Sequence, residues 1–126
     1  MNVKDVMVEE VIAVRADTKV RDAVELMNKN EIGCLVVEEN GKPVGIMTER
    51  DILKKIVCKS RNPGEVRISE VMSKPLVVGK VDMDLEEAAR LMLKRNLKKL
   101  PIVSGGKLVG LITLTDIVRV DHVGHL

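Results

Sequence analysis

Two seven-residue stretches carry the side chains best placed to do chemistry: Gly45-Ile46-Met47-Thr48-Glu49-Arg50-Asp51 and Gly110-Leu111-Ile112-Thr113-Leu114-Thr115-Asp116. In each, an apolar run that reads as a strand passes at a threonine into a helical pattern. The threonine is expected at the helix N-cap, where the first backbone N–H groups have no intrahelical partner and the aligned peptide dipoles leave partial positive charge. Such a corner favours an anion. A carboxylate about one turn further on, Asp51 or Asp116, is within reach of the same opening. Hydroxyl, amide and carboxylate together could hold a phosphate beside a sugar diol. The simpler reading is that Thr and Asp only cap and charge a helix start. That would suffice for a single corner, and the duplication is what favours a ligand.

The elements that position these corners also repeat. Val6-Met7 recurs as Val71-Met72, Asp17 as Asp82, and Ala23-x-x-Leu26-Met27 as Ala88-x-x-Leu91-Met92. Gly41-Lys42-x-Val44-Gly45-x-x-Thr48-x-x-Asp51-Ile52 recurs as Gly106-Lys107-x-Val109-Gly110-x-x-Thr113-x-x-Asp116-Ile117, every pair offset by 65 residues. Two tandem copies of one supersecondary pattern therefore fill the chain, over 1–60 and 65–122, with a polar Pro/Gly linker at 59–64. In the first copy the pattern predicts a helical turn at Val3–Met7 and a strand at Val11–Val14. An amphipathic helix Lys19–Asn30 follows, capped by Asp17-Thr18, then strands Cys34–Glu38 and Pro43–Met47 around a hairpin at Glu39-Asn40-Gly41, and a helix Thr48–Cys58. The second copy predicts a strand at Leu76–Val78, a helix Asp84–Asn96, strands Leu100–Val103 and Lys107–Ile112, and a helix Thr113–Asp121. The fold class is α+β. A single copy of about 55 to 60 residues has too small a core to stand alone, so the two are expected to pack face to face with pseudo-twofold symmetry and a cleft beside each corner.

Composition narrows the function. At 126 residues and 45% hydrophobic, the chain can bury one ordinary core. A net charge of +2 with dispersed Lys and Arg argues against nucleic acid and against an anionic membrane surface. Cys34 and Cys58 fit no metal-ligand spacing and are too few for a disulfide scaffold, which suits a reducing cytoplasm; Cys34 is expected in the core. No apolar run has the length of a membrane span, and Met1-Asn2-Val3-Lys4-Asp5 lacks a signal-peptide core. With no Phe, Tyr or Trp, a base could not be stacked on an aromatic ring and would sit between aliphatic side chains.

The β-α-β-β-α repeat, the doubled Gly-h-h-Thr-x-x-Asp signature (h, apolar) and the strand Leu100-Pro101-Ile102-Val103 resemble a tandem pair of cystathionine-β-synthase-type (CBS) domains, a Bateman module, of the stand-alone prokaryotic and archaeal type. The resemblance covers residues 1 to 121. It implies a regulatory sensor that binds AMP, ADP, ATP or S-adenosylmethionine in the clefts and passes occupancy to a partner protein, with no catalytic cofactor. It further implies a homodimer, the regulated protein being unknown. By resemblance, Asp51 and Asp116 take ribose hydroxyls and Thr48 and Thr113 phosphates. Val11-Ile12 and Val77 match positions touching the base, and Ile46 and Leu111 match the pocket wall. The turn residues Ile32-Gly33-Cys34 and Leu97-Lys98-Lys99 match positions that serve the base and the opposite phosphates. Lys98, Lys99 and Arg50 make the first site the more electropositive, whereas Arg50 has Thr115 as its counterpart; the first site is expected to bind more tightly and the second to be weaker or empty.

Asp51→Ala is expected to abolish binding at the first site with little change in melting temperature. Thr18, which Met83 replaces in the second copy, reads as a helix cap, with Asp82 or Asp84 able to substitute. Met27 and Met92 read as core, and His122 and His125 lack further ligands for a metal. No phosphate-binding loop, metalloprotease or nucleophile motif is present in the sequence, so a catalytic role is not expected. The alternatives are a constitutive dimeric scaffold with vestigial clefts, or a nucleic-acid-binding protein.

Overall fold

The computed structural model describes residues 1–124, with side chains described through Val120. Its contacts divide the chain into two compact units, one formed by Ile12–Leu76 and the other by Met1–Val11 together with the chain from Val77 onward. Each is an α+β unit built around one three-stranded sheet.

In the unit Ile12–Leu76, the continuous apolar run Cys34-Leu35-Val36-Val37 forms the buried part of the central strand β2 (Cys34–Glu39), as a strand covered on both faces requires. β1 (Ala13–Arg15) pairs with it in parallel and β3 (Lys42–Thr48) antiparallel. The β2–β3 hairpin turns on Asn40 (φ +52°) and Gly41 (φ +76°), two successive positive-φ residues of the kind a tight hairpin turn demands. Helix α1 (Val20–Asn30) connects β1 to β2 and buries Val20, Ala23 and Met27, its i, i+3, i+7 stripe, in a core with Leu35, Val37 and Met47. α2 (Glu49–Ile52) leaves β3 directly and continues as π-helix over Leu53–Val57.

The other unit repeats the plan with β4 (Gly79–Lys80), α3 (Leu85–Lys94), β5 (Lys99–Ser104), β6 (Lys107–Thr113) and α4 (Leu114–Gly124). β4 runs parallel to β5 and β6 antiparallel to it, with a turn at Gly105 and Gly106, both at positive φ. Its core joins Leu85, Ala88 and Met92 of α3 to Leu100, Ile102 and Ile112.

The compact units and the sequence repeats divide the chain differently. The turn at Val3–Asp5 leads the first repeat, yet Val3 is fully buried in the core of the second repeat's elements, and its N–H donates to the Met83 carbonyl at 2.9 Å. Its counterpart Ile68, in the turn Ile68–Glu70, is likewise buried against α1 and β2, its N–H donating to the Thr18 carbonyl at 2.8 Å.

Three local expectations give way. β1 and β4 begin two and three residues further along than the patterns at Val11–Val14 and Leu76–Val78 predict, because strands form where a partner strand supplies the ladder, and that pairing starts at Ala13 and Gly79, with only a long 3.4 Å bond from the Val36 N–H reaching the Ile12 carbonyl before it. Thr18 is not the cap of α1: Lys19 occupies the N-cap without a side-chain bond, and Thr18 is engaged through its backbone. The expected helix from Thr48 to Cys58 is α-helical for one turn only before the π-helical stretch. Asp84, by contrast, caps α3, accepting from the Glu86 N–H at 3.3 Å.

Candidate functional site

At the first corner Thr48 is the N-cap of α2, its hydroxyl oxygen accepting from the Asp51 N–H at 3.3 Å. Asp51 returns the bond: its Oδ2 accepts from the Thr48 N–H at 3.0 Å and from the Thr48 hydroxyl at 3.1 Å. This reciprocal capping pattern is local and was legible in the Thr-x-x-Asp spacing.

Two further donors were not anticipated. Ser73 donates its hydroxyl to Asp51 Oδ1 at 2.9 Å, and Lys55 Nζ lies 3.0 Å from the same oxygen. Lys55 is simultaneously bonded to the Val71 carbonyl at 2.7 Å. Four donors thus meet one carboxylate that is only 7% exposed. Burial pushes the Asp51 carboxyl up, but the bonds from Thr48, Lys55 and Ser73 together outweigh it and hold the group below its ordinary value. Asp51 is therefore ionised at neutral pH and is part of the corner's own structure. These bonds weigh against the expectation that removing Asp51 would barely affect stability, because cutting it back takes the acceptor from the half-buried Thr48 N–H, although the exposed Ser73 hydroxyl can turn to water.

Gly45 explains how Ser73 arrives. Ile46 and Ser73 exchange backbone bonds (Ser73 N–H to Ile46 carbonyl 2.8 Å, Ile46 N–H to Ser73 carbonyl 3.1 Å), laying the 72–73 segment across β3. A Cβ on Gly45 would sit 2.7 Å from Met72 Sδ and 3.1 Å from the Ser73 carbonyl oxygen, so any side chain there would have to push the methionine aside and press on the crossing segment. Gly110 does the same for Met7 and Val8, with Val8 and Leu111 exchanging bonds at 2.9 Å.

The second corner repeats the cap but not the rest. Thr113 Oγ accepts from the Asp116 N–H at 3.1 Å. The residues 65 positions from Ser73 and Lys55 are Val8 and Val120, neither of which can donate from its side chain. Among the described residues the Asp116 carboxylate has one charged partner, Arg119, at a loose 3.9 Å and 76% exposed.

The other expected site residues distribute as follows. Ile12 precedes β1, and Ile32, Gly33 and Cys34 form the turn into β2, where the Gly33 carbonyl accepts from the Glu49 N–H at 3.1 Å. Cys34 is buried, as expected, Ile46 is half-buried in β3, and Arg50 is exposed on α2. These share one compact unit with Thr48 and Asp51, whereas Lys98 and Lys99 belong to the other. There the Lys98 carbonyl accepts from the Leu114 N–H at 2.9 Å, the counterpart of the Gly33–Glu49 bond, and Lys99 opens β5. Val77, Leu97, Leu111, Thr113, Thr115 and Asp116 all fall within that second unit. A depression of about 620 Å³ in the first unit lies away from its corner, at Arg15–Asp17 and Glu38–Gly41. His125 and the side chain of His122 lie outside the described residues. Among the described residues no helix is long and apolar enough to cross a membrane.

Lys55 stands four residues after Asp51, a spacing at which helical ion pairs form, and that signal could have found it. Ser73 is 22 residues away, and nothing local points to it.

Comparison with known proteins agrees with this geometry. The CBS domain family model matches twice, over residues 3–58 and 68–123. The chain is 41% identical over 104 residues to the uncharacterized protein MK0525 of Methanopyrus kandleri, with 79% of this chain and 53% of that protein covered; it thus spans about half of that relative's length. Among solved structures, a protein with CBS domains from Burkholderia ambifaria MC40-6 superposes with a TM-score of 0.90 at 28% identity, over 100% of this chain and 97% of that one. The CBS domain pair of protein MJ0100, solved in complex with 5′-methylthioadenosine and S-adenosyl-L-methionine, superposes with a TM-score of 0.86 at 27% identity, over 98% of both chains. With two matches that together take in most of its length, and the same strand-to-helix corner built in each unit, the chain belongs to the CBS-domain family as a tandem pair.

Proposed function

We propose that this protein is a non-catalytic sensor that binds an adenosine-containing compound, AMP, ADP, ATP or S-adenosylmethionine, at its strand-to-helix corners and passes occupancy to a partner protein. The observation that carries this reading is the duplicated corner: a threonine N-cap with an acidic side chain one turn on, built on the same β-strand and helix in both units. Ribose hydroxyls donate to Asp51 or Asp116, and phosphate oxygens are drawn to the helix starts at Thr48 and Thr113, with Arg50 adding charge at the first. Ile12 and Ile46 in one unit, Val77 and Leu111 in the other, supply aliphatic walls for a base in a chain that has no Phe, Tyr or Trp. The adenosine-type ligands bound by the CBS pair of MJ0100 support the ligand class. Ligand binding that favours one arrangement of the units shifts the population a partner reads. Isothermal titration of the full chain with AMP, ATP and S-adenosylmethionine is expected to give saturable heat with at least one of them. A flat titration with all three would instead favour a constitutive scaffold.

A further inference from the structure

The two corners differ in one respect that the repeat does not predict. A carboxylate has about four lone-pair positions, and at Asp51 all are taken: Oδ2 by the N–H and hydroxyl of Thr48, Oδ1 by Ser73 and Lys55. The ammonium is held from its other side by the Val71 carbonyl at 2.7 Å, so it is seated between two acceptors although the side chain is 41% exposed. Asp116 has neither donor, since Val8 and Val120 stand where Ser73 and Lys55 would be.

We propose that Lys55 is a resident plug of the first corner, holding with its ammonium the acceptor position that a ribose diol needs, so that adenosine compounds fill the Asp116 corner first. The proposal rests on the nucleotide reading above and reverses the order of affinities expected from Arg50 and the paired lysines. A diol reaching Asp51 must first displace a charge-assisted hydrogen bond, and that exchange lowers affinity at the first corner by about tenfold or more. The penalty is largest for an uncharged ligand. A phosphorylated one recovers part of it, because the displaced ammonium remains nearby as a counter-ion.

The test is calorimetric titration of the full-length protein with adenosine and with AMP, in wild type, K55M, K55R, D116N and the double variant K55M/D51N. In D116N, wild-type binding is expected to fall by about tenfold or more, to the residual affinity of the first corner. K55M is expected to gain a second adenosine site, tighter than any residual first-corner binding by about tenfold or more and abolished in K55M/D51N. The gain for AMP should be smaller, and K55R, which keeps the cation, should behave as wild type. Binding indifferent to residue 55, or weakened in K55M for both ligands, overturns the plug alone. Absence of saturable heat in every variant overturns the nucleotide reading and the plug with it.

Discussion

Replacing Asp51 by alanine should destabilise the protein far more than replacing Asp116, although the two occupy equivalent places in the repeat. Asp51 is 7% exposed and accepts from Thr48 twice, from Ser73 and from Lys55. Hydrogen bonds to a charged group contribute roughly 1.5–3 kcal/mol, and here that applies to the half-buried Thr48 donors, since Ser73 is exposed and its hydroxyl can turn to water. Lys55 is 41% exposed, so on losing its partner it recovers solvation, and its share is discounted to that of a surface pair, about 0–1 kcal/mol. The sum is about 2–4 kcal/mol for D51A. Asp116 gives up a first-turn charge near a helix N-terminus and a loose pair with an exposed arginine, together about 0.5–1 kcal/mol. Urea denaturation of the two variants at pH 7 measures the difference. At a slope of about 1–2 kcal/mol per molar, D51A should lose about 0.5–3.5 M in midpoint relative to D116A, with the slope unchanged. Equal midpoints, or a larger loss in D116A, would mean that the four-donor network contributes nothing net and that Asp51 is no more structural than its counterpart.

The same carboxylate gives the stability a pH signature. Its folded pKa is held below the unfolded one, so its contribution is present above the unfolded value of about 4 and is lost as pH falls through the folded value. The difference in stability between wild type and D51A should be constant from neutral pH to about 5 and shrink below about 4; a gap that widens on acidification would contradict the assignment. At the crossing, G45A places a Cβ against Met72 Sδ and the Ser73 carbonyl, and should cost about 1–3 kcal/mol by thermal or urea unfolding. G41A at the hairpin meets no neighbour and should cost only the strain of its positive φ, about 1 kcal/mol; a G45A loss no greater than that of G41A would show that the segment at Ser73 is not held by this approach.

What the sequence determined by itself is what local physics governs. Hydrophobic spacing placed α1 and α3 and the two hairpins, because the helix and strand periods are imposed by the backbone. Positive-φ turns at Asn40-Gly41 and Gly105-Gly106 follow from residues that tolerate that region. The caps at Thr48 and Thr113 follow from a three-residue spacing, and the 65-residue offset made both corners visible at once. Tertiary structure alone decided which lead-in segment joins which repeat, since Val3 and Ile68 are buried by surfaces remote in sequence. It also decided that Ser73 reaches Asp51 and that Lys55 is seated between Asp51 and the Val71 carbonyl, contacts spanning 22 and 16 residues. Two corners with the same motif therefore differ in what they can accept, because the occupants of a carboxylate's lone pairs are chosen by whatever the fold brings beside it.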